Sequence, residues 1–175
     1  MDRNLGATQV ATSSTDAASY GDLYQWGRAK DGHESRTSLT TTTNATTETA
    51  VDGKFITGSF TWTTFGDGDA LWPSGLNDPC PSGYRIPTDA ELNQEYTSWS
   101  INNAIGAFNS PLKLPLAGYR KNTNGDLGDV GSFGVYWSST LSGFTTAREL
   151  YFSAGIAAIV DDPHTYGFSV RCIKE

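Results

Sequence analysis

Long apolar runs are missing from this 175-residue chain. No stretch approaches the roughly 18–20 consecutive apolar residues that cross a bilayer, so no membrane span is expected. A charged start, an apolar core and a small-residue cleavage site are missing as well, and Met1 runs directly into folded-looking sequence. The expectation is a trimmed fragment or a protein exported by another route. Basic residues are scarce: 12 Lys and Arg against 19 Asp and Glu leave a net charge of −7. That argues against a nucleic-acid partner, which would need a concentrated basic face. Histidine is rarer still, and His33 and His164 lie far apart, with no CxxC or HxxxH spacing to suggest zinc. Neither histidine has a catalytic motif around it, so no Ser-His-Asp set is suggested. Only two cysteines are present, Cys80 and Cys172. On residues alone they fit a disulfide, two buried thiols or half of a metal site. A disulfide would close a loop of about 90 residues, contributing about 4–5 kcal/mol by loop-closure entropy, and would require an oxidising compartment.

What is present favours one domain with a real core. Nineteen glycines, Ser/Thr tracts and 12% aromatics point to an all-β or loop-rich α+β build rather than a helical bundle. Asp2–Ala7 reads as an edge strand or its exit. Tyr20, Leu23 and Trp26 are offered to a core, with Gly27 as the stop of a short helix. Residues 37–49 are threonine-dominated and read as an exposed strand or loop. Asn44-Ala45-Thr46 matches a glycosylation sequon, a pattern common by chance. Phe55–Trp62 reads as partly buried. Asp67 and Asp69 in a tight turn could hold a calcium ion, but two carboxylates are too few for its shell without further ligands from elsewhere.

The strongest helix signal follows Pro87. Thr88 caps it, Glu91 completes a capping box, and Leu92, Tyr96 and Trp99 share one face. Leu112–Arg120 reads as a strand bent by Pro115. Asn124-Gly125 predicts a hairpin rather than a metal loop. Tyr136–Thr140 and Arg148–Phe152 read as strands. Phe168, Val170 and Cys172 alternate with Ser169 and Arg171, as a half-buried strand does. Between these strands, Leu141–Thr146 and Ser153–Tyr166 are chemically mixed, aperiodic connections. A rigid frame carrying such loops is the usual build of a binding surface.

Six segments together resemble the Fibrobacter succinogenes major paralogous domain, nearly end to end and in order. They are Asp2–Ala7, Gly21–Arg28, Asn77–Thr88, Leu114–Arg120, Tyr136–Thr140 and Ser169–Cys172. The resemblance implies a C-type lectin-like α+β fold spanning residues 1–175, with two helices packed on a twisted antiparallel sheet, long loops and adjacent termini. It also implies a central Arg171-Cys172 strand and a disulfide between Cys80 and Cys172. The C-terminal segment, 136–172, is similar to the variable region of target proteins of diversity-generating retroelements. In those systems a mutated AAC codon yields most residues but not Lys, Glu, Gln, Met or Trp. Between Ser138 and Val170 only Glu149 belongs to that set, where the composition of residues 1–137 would give about four.

These readings lead to a non-enzymatic display domain, at the cell surface or outside the cell, without cofactor or metal. It would bind a protein or other macromolecular ligand through an exposed face. That face takes Leu141, Ser142, Phe144 and Thr146 from one connection. Ser153, Gly155, Ile156, Ala158, Val160, Asp161, Asp162, His164 and Tyr166 come from the other. Phe144 and Tyr166 would be the aromatic anchors. Two rival classes have less support. A formylglycine-generating oxidase needs two reactive cysteines poised at one site, and neither cysteine here has that setting. A calcium-dependent lectin uses Glu-Pro-Asn or Gln-Pro-Asp and Trp-Asn-Asp motifs, which this chain does not contain. Asp161 and Asp162 form no acid–base pair, since neighbours on a strand point to opposite faces.

Overall fold

The computed structural model describes residues 1–49, 52–64 and 71–175. Its longest elements are C-terminal: strands β7 (Gly134–Leu141), β8 (Thr146–Phe152) and β9 (Ala157–Pro163) form an antiparallel meander. The third strand corrects the reading of Ser153–Tyr166 as an irregular connection. The reason is that both faces of β9 are partly covered, so apolar residues occupy Ala157 through Val160 without alternation. Helix α1 (Asp89–Thr97) packs on this meander. Its capping box forms as predicted, with Thr88 Oγ1 accepting from the Glu91 amide and the Glu91 carboxylate accepting from the Thr88 amide. Leu92 and Trp99 are buried together with Leu150 and Phe152, while α2 (Ala104–Asn109) completes that side of the core.

A second, four-stranded antiparallel sheet has the order β1 (Tyr24–Gln25), β10 (Gly167–Phe168), β5 (Tyr119–Arg120), β6 (Leu127–Gly128). The segment predicted to end in a helix at Gly27 is therefore a strand, although Tyr20, Leu23 and Trp26 are buried as read. Of Leu112–Arg120 only the last two residues are strand; Leu114, Leu116 and Ala117 are buried as irregular chain. The Asn124-Gly125 hairpin joins β5 to β6, with Gly125 at φ 76°. Two small pairs finish the fold. β4 (Tyr84–Arg85) joins β11 (Ile173–Lys174) antiparallel, and β2 (Thr40–Thr41) joins β3 (Phe55–Ile56) in parallel. The whole is a mixed α+β arrangement of two helices and several sheets, most of them antiparallel.

The C-terminal segment ties these layers together. Phe168–Cys172 is buried throughout rather than half-buried, because it runs between two covering layers. Ser169 bridges β7 in parallel through Trp137 N–H to Ser169 O and Ser169 N–H to Val135 O, both 3.1 Å. The opposite side is covered by the N-terminus, which is a turn rather than an edge strand. Leu5 N–H donates to Val170 O at 3.0 Å, and the Met1 ammonium donates to Cys172 O at 2.6 Å. Cys172 is joined to Cys80 by a disulfide.

Two indoles lock β7 to β1 reciprocally. Trp137 Nε1 donates to Tyr24 O and Trp26 Nε1 donates to Ser138 O, each at 2.8 Å. Trp137 is fully buried against Phe168. Its replacement by Ala leaves a cavity and removes the bond to Tyr24 O, and should destabilise the domain by about 3–5 kcal/mol. Denaturant unfolding at constant m-value measures this; a variant as stable as the parent would show that the indole is not part of the frame.

Candidate functional site

The meander divides the residues predicted to form one exposed face. The β7–β8 tip carries Leu141, Ser142, Phe144 and Thr146, and lies beside the end of β9, where His164 N–H donates to Thr145 O at 3.0 Å. Phe144 is 65% exposed. Ser153, Gly155 and Ile156 occupy the β8–β9 turn at the opposite end of the strands, roughly 20 Å away at about 3.3 Å per residue. That turn abuts α2, through the Ala104 N–H donating to Ser153 O. The single face is therefore corrected to two separate patches. His164 belongs to neither: it is 1% exposed and stacks on Trp26, with ring centroids 4.7 Å apart. The Trp26 ring covers it, so it is part of the frame.

Strand register also separates the two acids. Asp161 lies opposite Arg148 and pairs with it at 2.9 Å on the α1 side of the sheet. Asp162 projects from the other face with Ala158 and Val160, as the alternation required. There it meets Glu149, its diagonal neighbour on β8. Both line a cavity of about 190 Å³. Val135 and Tyr151 contribute its strand wall, Tyr119, Tyr166 and Phe168 the wall from the second sheet, and Phe133 the remaining side. Tyr166 stacks on Phe168 at 5.4 Å, and Tyr119 meets Tyr166 edge-on at 6.0 Å. Gly128 permits this placement, since a Cβ there would lie 2.7 Å from Tyr119 Cζ.

The electrostatics of the pair follow from burial. Glu149 is 2% exposed, directly opposite buried Trp137, and its Oε2 has no hydrogen-bond partner. Desolvation first, and then the charge of Asp162, hold its carboxyl well above the usual carboxylate range. Asp162 is also raised by burial, partly offset by its hydrogen bond with Glu149. Burial beside a second acid thus favours the neutral form of Glu149. Burial also raises Tyr166, helped by the same two acids, and lifts Tyr119 to about 12.

Of the residues lining this cavity, the sequence reading contained only Asp162 and Tyr166. Glu149, Tyr119, Tyr151, Phe133, Val135 and Phe168 were missed. Glu149 did carry a signal, because period two places it on the face of Ala147 and Tyr151, an acid where a core residue is expected.

A second cluster, Asp31, His33 and Glu34, has ligand atoms within 4.8 Å of one another. Its histidine has no nitrogen left for a metal. Nε2 accepts from the Gln25 amide at 3.0 Å and Nδ1–H faces Asp31 Oδ1 at 2.7 Å. Burial lowers His33 to about 4, so it is a neutral, fully used core residue. Asn44 is likewise structural, donating to Thr61 O at 3.0 Å. The Asp67–Asp69 turn lies outside the described residues. No helix among the described residues is long and apolar enough to cross a membrane.

Residues 109–173 match a family described as a domain of unknown function, DUF8237. The matched segment contains every residue lining the cavity, together with β5 to β10. No curated protein and no solved structure matches the chain.

The raised carboxyls make stability depend on pH. The unfolded chain ionises at the ordinary carboxylate pKa while the native pair still holds its proton, so the native state binds more protons and stability falls as pH rises. Above the native pKa the penalty is constant. Between about pH 4 and pH 8, Glu149→Gln should show a flatter fall in unfolding free energy than the parent. Parallel pH profiles for the two proteins would contradict the pairing.

Proposed function

We propose that this chain is a ligand-binding display domain, not an enzyme, which holds a protein or other macromolecular partner through its C-terminal segment. The observation that carries this is the 190 Å³ cavity, opening beside mixed exposed residues on a rigid sheet. Sites for whole small molecules typically measure about 300–1,000 Å³. A smaller socket suits one side chain of a larger partner. On this reading Leu141, Ser142, Phe144, Thr146 and Val160 make the surface beside it, with Asp162 and Tyr166 at its wall, while Asp161 adds to the exposed surface on the opposite face of the sheet. Ser153, Gly155, Ile156 and Ala158 form a separate patch.

The finer assignment is a single C-type lectin-like domain over residues 1–175, akin to the Fibrobacter succinogenes major paralogous domain and serving as a variable protein of a diversity-generating retroelement. Three features support it: the Cys80–Cys172 bond, the adjacent termini, and the burial of the motif residues Trp26, Arg28, Arg120, Trp137 and Arg171. Glu149, the one residue of 138–170 that a mutated AAC codon cannot encode, sits at the cavity floor under residues that such a codon can encode. A fixed floor below a variable rim is the arrangement this reading requires. The disulfide and the cell-surface or extracellular setting agree with one another.

The oxidase alternative needs free thiols, and both sulfurs are bonded to each other. Perturbed acids in a cavity are the feature that most favours an enzyme. Their neighbours, however, are aromatic or aliphatic; among the described residues no Ser, Thr, Cys, His, Lys or Arg lines that cavity, so an acid–base pair would have no hydroxyl or thiol nucleophile of the Ser or Cys type and no cationic stabiliser to work with.

Sequencing codons 136–172 and the flanking DNA across the source population tests the reading. Variation should concentrate at 141, 142, 144, 146, 160–162 and 166, spare 137 and 149, and be accompanied by a near-copy differing at adenines. Invariant codons without such a copy would overturn diversification and leave a fixed binding surface.

A further inference from the structure

We propose that the cavity of Glu149 and Asp162 is a socket for an organic cation, a primary alkylammonium of the lysine type presented by the partner. This deepens the display reading and rests on it for the source of the cation. The first observation is an acceptor without a donor. Glu149 Oε2 is buried at the cavity wall and has no hydrogen-bond partner. A buried acceptor left unpaired is costly, and an ammonium supplies the missing donors.

The second observation is the local charge. Two carboxyls meet there, and among the described residues no basic side chain lines the cavity. The nearest strand cation, Arg148, projects from the opposite face of β8 and is engaged by Asp161. In the free protein burial, and then the charge of Asp162, favour the neutral form of Glu149. An entering ammonium takes the place of its proton: the carboxyl proton leaves to solvent, and the cation is met by the two carboxylates. No bond other than O–H is broken.

The walls decide which cation fits. Tyr119, Tyr151, Tyr166, Phe133 and Phe168 surround the acids with rings, whose negative faces attract organic cations. A calcium ion would need six to eight oxygen ligands, typically. Among the described residues the lining offers two carboxyls and three neutral tyrosine hydroxyls, whereas calcium shells are built from carboxylates, amide carbonyls and water. The volume then limits the guest to a headgroup and a few methylenes. An alkyl stem along the rings with its charge at the floor satisfies both halves of the cavity.

The test is a titration of the full chain with n-butylammonium chloride at neutral pH, followed by aromatic NMR shifts of Tyr119, Tyr151 and Tyr166. n-Butanol, sodium chloride and calcium chloride serve as controls. The expected result is a saturable millimolar response to butylammonium alone, weakened at least about tenfold by Glu149→Gln. Asp162→Asn, at the less buried partner, serves if Glu149→Gln does not fold. No saturable response, an equal response to butanol, tighter binding of calcium, or undiminished binding in the folded variants would each overturn the socket. Codon variation without butylammonium binding would leave the display reading standing and remove only the cation. Butylammonium binding with invariant codons would keep the socket and remove the diversification.

Discussion

The fold depends on one stretch of chain, Phe168 to Cys172, being covered on both sides. It pairs with the N-terminus through Leu5 and Met1, and with β7 through Ser169. At its centre Arg171 is buried and its guanidinium donates to Asn4 Oδ1 at 3.1 and 2.8 Å and to Leu112 O at 2.6 Å. These acceptors are neutral, and burial is the main force lowering its pKa. Such a group is tolerated only where its hydrogen bonds are met, so it fixes the relative placement of residues 4, 112 and 171. The disulfide then ties the end of this stretch to Cys80, 92 positions earlier.

Two further buried arginines repeat the device. Arg28 donates to Gln25 Oε1 at 2.7 Å and to Lys54 O at 3.0 Å and faces the Trp62 ring, though unlike Arg171 it also has a charged partner, Asp31. Arg120 donates to Gly125 O at 2.7 Å and to Ser38 O at 2.6 Å, over the Phe55 ring at 4.3 Å. Each pins irregular chain to a strand. Long connections can then be ordered without much regular secondary structure, which explains strands of only two residues in a well-packed core. With the frame fixed this way, the exposed ends of β7, β8 and β9 are relieved of structural duty. Phe144, Ser142 and Asp161 are exposed there because little packs against them.

Local signals in the sequence translated well. The Thr88–Glu91 capping box and the Asn124-Gly125 hairpin need only neighbouring residues, and both form. Leu23 and Trp26 were recognised as core by their apolar bulk, but their backbone was misassigned because β1 owes its strand state to β10, over 140 residues away. Strand β9 was hidden for a related reason: a strand partly covered on both faces loses its alternation. The cavity was the least legible feature. Its residues come from β5, β7, β8, β9 and β10 and from Phe133 and Tyr166, and only tertiary pairing brings Tyr119 to Glu149. His164 showed the converse, a polar residue in a polar loop that the Trp26 ring draws inward.

The central claim is that residues 136–172 combine an intolerant frame with a permissive surface. Saturation mutagenesis of that segment, scored by the folded fraction of each variant under protease challenge, addresses it in one experiment. The account predicts that substitutions at Tyr136, Trp137, Leu150, Phe152, Phe168, Val170 and Arg171 unfold the domain, while Ser142, Phe144, Gly155, Ile156, Val160 and Asp161 accept most residue types. Equal sensitivity across both groups would contradict it, because the exposed residues would then be part of the frame.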